Sequence, residues 1–326
     1  MKILVVRFSS IGDIVLTTPV VRCLKKQLPG VEIHYLTKSS FRTILENNPY
    51  IDKLWTIGKS TDEVIPALKK EKFDYLIDLH HNIRTLGLKW KLGVKSFSFE
   101  KLNFQKRKLV NFKIPMTYKG HIVDRYLKTA EPLGVKNDGQ PCDYFIPEQD
   151  EIDLRFYGLE PKKYIAVAIG AQFETKQFPV SKTIEVLKKQ ELPVLLLGGK
   201  QDEEKAARIS EELPCLDFTG KLSLNSSAYI VKNAAVLLTN DTGLMHIAAC
   251  FSTKIVSVWG NTVPELGMYP YMPQNEKSYT MHEVQGLKCR PCSKIGFHAC
   301  PQKHFNCMLK QDTVAIASTI KSFSEE

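Results

Sequence analysis

Apolar residues in this chain fall into short continuous runs, separated by longer stretches in which apolar positions recur every three or four residues. Continuous aliphatic runs suit strands covered on both faces, and the wider spacing suits helices packed against them. The pattern predicts strands at Lys2–Val6, Val31–Thr37, Lys53–Ile57, Tyr75–Leu79 and Ser96–Phe99. Between them it predicts helices at Asp13–Leu28, Ser39–Asn47, Glu63–Lys70 and Arg84–Leu92. After a stretch containing Pro and Asp around residues 141–153 the alternation restarts. The second series has strands at Tyr164–Ile169, Val194–Leu197, Cys215–Phe218, Ala235–Thr239 and Lys254–Val258. Its helices are Ser181–Gln190, Asp202–Leu213, Asn225–Lys232 and Gly243–Cys250, and Asp312–Ser322 closes the chain. Alternation of this kind gives α/β domains with parallel sheets, and a restart marks a domain boundary. The expected division is residues 1–153, residues 154–308, and a helical segment 309–326 packing back toward the first domain. Two Rossmann-like, doubly wound sheets facing each other would bind ligands at the carboxyl ends of their strands.

The length of 326 residues fits two domains. Hydrophobic residues at 43% and charged residues at 25% exclude collagen-like, disordered and disulfide-scaffold classes. No apolar run approaches the roughly 20 residues that span a bilayer. Arg7 and Asp13 interrupt the N-terminal apolar stretch where a signal peptide needs its apolar region, so a cytoplasmic location is expected. Charge changes the picture more. The formal net charge is +10, and from Arg84 to Lys128 twelve Lys and Arg face only Glu100 and Asp124. That block accounts for a surplus equal to the whole chain's. It would attract nucleic acid, an anionic membrane face or a phosphorylated substrate, or else form a solvated surface.

Candidate chemistry lies where strands end. The dinucleotide fingerprint and the P-loop pattern are both absent from the sequence, which disfavours hydride transfer and P-loop phosphoryl transfer. The first strand instead runs into Arg7-Phe8-Ser9-Ser10-Ile11-Gly12-Asp13. Ser10 and Asp13 fit a capping box, in which the carboxylate complements the helix dipole. The same carboxylate could also act as general base toward an acceptor hydroxyl. In the second half, Asn240-Asp241-Thr242-Gly243-Leu244-Met245-His246 leads from a strand into a helix whose N-terminal N–H groups suit a phosphate. Gly243 allows close backbone approach and Thr242 adds a hydroxyl, while Asp241 reads as an N-cap that also orients the loop. His246, one turn into the helix, is structural or a ligand contact. Lys176, in Thr175-Lys176-Gln177-Phe178-Pro179, sits on a loop at the same sheet edge and could neutralise a diphosphate.

Taken in order, Ser9-Ser10-Ile11-Gly12-Asp13, Asp74-Tyr75-Leu76-Ile77-Asp78-Leu79-His80, Thr175-Lys176-Gln177-Phe178-Pro179, the Asn240–His246 turn and Trp259-Gly260-Asn261-Thr262 resemble glycosyltransferase family 9, the ADP-heptose:lipopolysaccharide heptosyltransferases. The resemblance runs almost end to end. It implies the GT-B architecture, with acceptor bound mainly by the first domain and nucleotide-sugar by the second. It further implies metal-independent, inverting transfer that requires no cofactor. By resemblance, Asp13 is the general base and Lys176 contacts the diphosphate of ADP-heptose. Asp241, Thr242, Gly243 and His246 form the donor turn. Ser10, Gly12, His80, Asn82 and Arg84 are the acceptor-side candidates. One departure is Gln177-Phe178, where the family more often has a basic residue and a tryptophan. The basic block gains a partner in an anionic glycolipid acceptor at the inner face of the inner membrane. A peripheral, monomeric enzyme without nucleic-acid binding is therefore expected.

Four of the eight cysteines, Cys289, Cys292, Cys300 and Cys307, are spaced C-x2-C-x7-C-x6-C, with His298 and His304 nearby. Structural zinc, free thiols and a redox-labile pair are all open readings of that spacing. Two other functions also fit the residues: a transferase for another surface glycan using a different nucleotide-sugar, and a two-domain anion-binding protein in which Asp13 only caps a helix.

Overall fold

The structure, a computed structural model, describes residues 1–325. The described residues divide into two compact units, residues 1–101 with 120–145, and residues 102–119 with those from 146 onward. In the first, β1 (Lys2–Val6), α1 (Ile11–Val15), α2 (Thr18–Gln27), β2 (Glu32–Lys38), β3 (Lys53–Ile57), α3 (Ile65–Lys70), β4 (Tyr75–Asp78), α4 (Ile83–Leu92) and β5 (Lys95–Ser98) follow in order. The five strands are parallel, in the order β3-β2-β1-β4-β5. Leu4, Val6, Leu36 and Leu76 point to one face, where Ile65, Leu68 and Leu88 of α3 and α4 cover them. Neighbouring residues of β1 are buried as well, which is why the strand reads as an uninterrupted apolar run. The helix expected over Asp13–Leu28 is two helices. Thr17 hydroxyl donates to the Ile14 carbonyl at 2.6 Å, and Pro19 opens α2, where it supplies no N–H and disfavours helical backbone just before it. The segment expected to be helical over Ser39–Asn47 is a 3-10 turn, Ser39–Ile44.

After β5 the chain leaves the first unit for α5 (Asn103–Phe112), returns to it for α6 (Ile122–Leu127), and then enters the second unit for good. There β6 (Ile165–Ala168), α7 (Val180–Leu187), β7 (Val194–Leu197), α8 (Glu203–Ser210), β8 (Leu216–Asp217), α9 (Leu224–Asn233), β9 (Val236–Asn240), α10 (Gly243–Cys250), β10 (Lys254–Trp259), β11 (Tyr279–Glu283), α11 (Asn306–Leu309) and α12 (Thr313–Glu325) follow. The six parallel strands run β11-β10-β9-β6-β7-β8. Ile165, Val167, Val236 and Leu238 lie on one face, in a core with residues of α7, α8 and α12. Ala166, Ala168 and Leu237 lie on the other, with residues of α9 and α10.

The division differs from a single cut at 153. Residues 146–153 belong with the second unit, where Asp150 accepts from Asn225 Nδ2 at 2.8 Å. Residues 102–119 also join it, because Leu102, Leu109 and Met116 form a small core with Val263 and Leu266. The closing helix is not a separate segment directed at the first unit. Ile316, Ala317 and Ile320 of α12 are buried in the second unit's sheet core beside α7. Each such apolar side chain contributes about 1.5–3 kcal/mol when fully buried.

Candidate functional site

In the first unit the strand order reverses between β1 and β4, the position at which open α/β sheets leave a crevice at their carboxyl ends. Arg7 follows β1 directly and is buried. Its Nη1 donates to the Leu79 carbonyl at 2.6 Å and to the Tyr126 hydroxyl at 3.0 Å, and its Nε to the Ser9 carbonyl at 2.7 Å. Arg7 Nη2 lies 2.6 Å from Asp13 Oδ1. Burial weakens the guanidinium's hold on its proton more than any single neighbour strengthens it, but the charge and hydrogen bond of Asp13 together with Tyr126 and Tyr35 raise its pKa. The second Asp13 oxygen accepts from Ser10 N at 3.2 Å and Ser10 Oγ at 2.8 Å. The capping arrangement is thus present, and it places the same carboxylate beside a buried cation at the reversal. Gly12 is buried inside α1 and shapes the turn without presenting a surface.

The other acceptor-side candidates cluster after β4. Fully buried Asp78 accepts from the backbone N–H groups of His80 and His81 at 3.1 and 2.6 Å, and Lys89 Nζ lies 3.1 Å from its other oxygen. His80 packs against Phe8 with ring centroids 5.0 Å apart. Its pKa is lowered to about 4, first by burial and then by Arg7, Lys101 and Arg84, so near neutral pH it is an uncharged imidazole. Asn82 caps α4, its side-chain oxygen accepting from Thr85 N at 3.1 Å. Arg84 is exposed and lies over Phe8 at 5.2 Å.

The second sheet reverses between β6 and β9, and both of its candidate segments start there. Lys176 Nζ lies 2.6 Å from Asp241 Oδ2, which also accepts from Thr262 Oγ1 at 3.0 Å. Asn240 joins the two strand ends. Its side-chain oxygen accepts from Phe178 N at 2.9 Å, and its amide nitrogen faces the Ala168 and Gly170 carbonyls at 3.4 and 3.3 Å. The loop carrying Lys176 is fixed from its far side by Thr175, whose hydroxyl donates to the Phe297 carbonyl at 3.0 Å. Two glycines are sterically required: a Cβ on Gly170 would lie 2.2 Å from Asp202 Oδ2, and one on Gly260 would lie 2.8 Å from the Thr175 carbonyl. Thr242, not Asp241, is the N-cap of α10, and its side chain makes no capping hydrogen bond. The leading N–H groups of α10, beginning at Gly243, therefore receive no capping bond from the Thr242 side chain, an arrangement whose chemistry suits an anion. His246 is buried in the first turns of that helix.

Sequence reasoning gave no role to Arg7, Asn240, Thr262 or Asn261. Asn261 is 1% exposed, and neither its side-chain nitrogen nor its oxygen has a hydrogen-bond partner. The available signal was position: each follows or ends a strand at a sheet's carboxyl edge. A cavity of about 280 Å³ in the second unit is lined by residues including Lys113, Glu265, Glu283 and Arg290, and by none of the donor-turn candidates.

The four cysteines Cys289, Cys292, Cys300 and Cys307 share one neighbourhood. Burial, with Cys289 adjacent, pushes Cys292 up to about 11, and burial pushes Cys307 up to about 12, so both are protonated thiols near neutral pH. Among the described residues, three metal-donor atoms come within 4.8 Å of one another only at Glu32, His34 and Glu71. Lys2 occupies that cluster, with its Nζ 2.7 Å from Glu71 and 3.3 Å from Glu32. No three of the Cys289, Cys292, Cys300 and Cys307 sulfurs lie within 4.8 Å of one another. The segment braces the turn after β10: half-buried Arg290 donates to the carbonyls of Gly260 and Thr262 at 2.5 and 3.0 Å.

Comparison with known proteins converges on one family. The family model for glycosyltransferase family 9 (heptosyltransferase) matches residues 63–296. Lipopolysaccharide heptosyltransferase 1 of Campylobacter coli is 25% identical over 291 residues, covering 80% of this chain and 84% of the relative. Lipooligosaccharide heptosyltransferase 2 of Haemophilus influenzae is 22% identical over 330 residues, covering 91% and 93%. Among solved structures, a family 9 glycosyl transferase from Veillonella parvula superposes with a TM-score of 0.79 at 21% identity, covering 99% of this chain and 97% of that one. A heptosyltransferase of Escherichia coli with ADP gives 0.69 at 19% identity, covering 99% and 100%. The structural likeness establishes the fold, the GT-B class with two parallel-sheet domains.

Proposed function

The chain belongs to glycosyltransferase family 9, and from that premise we propose that it transfers heptose from ADP-heptose to an inner-core lipopolysaccharide acceptor, with inversion at the anomeric carbon. Asp13 accepts the proton of the acceptor hydroxyl. That oxygen bonds to the anomeric carbon as the bond to the diphosphate breaks, and ADP leaves with the electron pair. Lys176 and the N-terminus of α10 meet the negative charge that develops on the leaving diphosphate. Asp241 holds Lys176 in place through its 2.6 Å ion pair, and Thr262 steadies Asp241. Arg7 orients Asp13, and neutral His80 offers hydrogen bonding to the acceptor.

The observation that carries this reading is the Lys176–Asp241 pair at the mouth of an uncapped helix, where the second sheet reverses. Similarity to a heptosyltransferase solved with ADP supports the choice of nucleotide. The acceptor is read as lipid-anchored and the enzyme as peripheral to the membrane that holds it. No helix among the described residues is long and apolar enough to cross a membrane. Both sets of residues come from one chain, so the working unit is taken to be a monomer.

The test is ADP release from ADP-heptose in the presence of heptose-deficient lipopolysaccharide, with ADP, UDP and GDP as competitors and the product's anomeric configuration read by NMR. Acceptor-dependent release inhibited selectively by ADP is the expected result. Selective inhibition by UDP or GDP would replace the donor, and retained anomeric configuration would overturn the single-displacement scheme.

A further inference from the structure

Helices α4 and α5 expose apolar side chains in a pattern that solvated surface helices do not carry. On α4, Ile83, Leu86 and Trp90 are 88%, 62% and 83% exposed. At 100° per residue they share one narrow arc, away from the buried Thr85 and Leu88. On α5, Phe104 and Phe112 are each 70% exposed, and Ile114 just beyond the helix is 49% exposed. Arg107 and Lys108 are exposed on α5 to either side of Phe104, away from Leu109, which holds the helix to its own unit. Lys108 Nζ lies 4.5 Å from the centre of the Phe104 ring. From Lys101 to Val123 the sequence contains six Lys and Arg and no carboxylate.

Aromatic rings interleaved with cations on one helix face suit the boundary between headgroups and acyl chains, where the rings leave water and the cations meet phosphates. Two other occupants fit less well. A nucleic acid would use the aromatic rings for stacking but gains little from Ile83, Leu86 and Ile114, which have no ring to stack. A second copy of the chain would bring an identical basic face, and like charges repel. We propose that the outer face of α5 docks the second unit, and independently that of α4 the first, on an anionic bilayer. Ile83, Leu86, Trp90, Phe104 and Phe112 enter the acyl boundary, and Arg107 and Lys108 hold headgroup phosphates. The inference deepens the reading of a lipid-anchored acceptor, and vesicles lacking any acceptor test it independently of transfer.

The experiment is co-sedimentation of the full chain with vesicles of phosphatidylethanolamine and phosphatidylglycerol, compared with vesicles of phosphatidylcholine. Binding to the anionic vesicles only, weakening as salt is raised, is expected. Phe104→Ser/Phe112→Ser and Ile83→Ser/Leu86→Ser should each lower partitioning by about tenfold or more. Neither double variant should change ADP affinity or turnover on a detergent-dispersed acceptor, because these side chains lie outside the core and the transfer site. Trp90 emission should shift to the blue on anionic vesicles and be quenched by brominated lipid, a response absent from Trp90→Phe. Equal binding to phosphatidylcholine, or full binding by both double variants, would overturn the proposal. So would preferential binding of an oligonucleotide, or a dimer in solution, abolished by the same substitutions. Vesicle binding without heptose transfer would leave the docking surface standing and remove the transferase reading.

Discussion

Replacing Lys176 with Ala separates a ligand contact from a structural ion pair. The Lys176 and Asp241 side chains are 16% and 12% exposed and 2.6 Å apart. Exposed pairs contribute about 0–1 kcal/mol, and breaking fully buried ones costs about 3–5 kcal/mol, so this partly sheltered pair falls at about 1–3 kcal/mol. At about 2–4 °C per kcal/mol for a domain of this size, Lys176→Ala should lower the thermal midpoint by roughly 2–12 °C. A charge-assisted hydrogen bond to a diphosphate contributes about 1.5–3 kcal/mol, so calorimetry should show ADP binding about 10–100-fold more weakly. Asp241→Asn keeps the ammonium and should lose stability while binding ADP within a few-fold of wild type. The double variant should recover part of the stability, since no unpaired charge remains, yet bind ADP as poorly as Lys176→Ala. If ADP affinity instead tracks the thermal midpoint through all three variants, Lys176 is only a structural partner and the donor-site assignment is refuted.

Three further outcomes follow from the same geometry. His80 is lowered to about 4, whereas an unfolded imidazole titrates near 6.5. As pH falls through that interval the unfolded chain gains a proton that the folded chain does not, so stability declines. His80→Gln should flatten that part of the stability profile, and an NMR titration of His80 with a midpoint near 6.5 would contradict it. Arg22, 3% exposed, binds both Asp138 oxygens at 2.8 and 2.9 Å and pairs with Asp143. Arg22→Ala should cost about 3–5 kcal/mol by denaturant unfolding of the first unit, with ADP affinity unchanged. Asn261 buries an amide with no protein partner, a cost of about 1–3 kcal/mol borne by the free protein. Asn261→Ala should therefore be no less stable than wild type but bind ADP-heptose at least several-fold more weakly. Lower stability with full donor affinity, measured by calorimetry, would make Asn261 a packing residue instead.

The parallel strands were legible because residues such as Ile165 and Ala166 face opposite cores that are both apolar, so nothing polar interrupts the run. The pattern did not disclose β11, whose five residues Tyr279–Glu283 are all half-buried and mix Thr, His and Glu with apolar residues at the sheet's edge. Nor did it disclose that α5 belongs with the second unit. That placement depends on Leu109 meeting Val263 and Leu266 some 150 residues away, which no local periodicity encodes. The site showed the same division. Asp13, Lys176 and the Asp241 turn were visible as polar residues at strand ends, and the structure brings Lys176 and Asp241 together. Arg7 was hidden as a single cation inside an apolar stretch, and its partners Leu79 and Tyr126 come from distant strand and helix ends. The Cys289–Cys307 spacing resembles metal-site spacing, and the segment that carries it also braces the turn after β10 through Arg290.

Asp13→Asn tests the central claim most directly, through single-turnover transfer from ADP-heptose measured alongside donor affinity on the same preparation. Asparagine keeps an oxygen to accept from Ser10, as Asp13 does at 2.8 Å, while losing the capacity to take a proton at neutral pH. If Asp13 is the general base, transfer should fall by about 10²–10⁴-fold while ADP-heptose affinity stays within about threefold, at a temperature where both proteins are folded. Transfer within tenfold of wild type under those conditions would leave Asp13 as a cap and a partner for Arg7, and would contradict the mechanism.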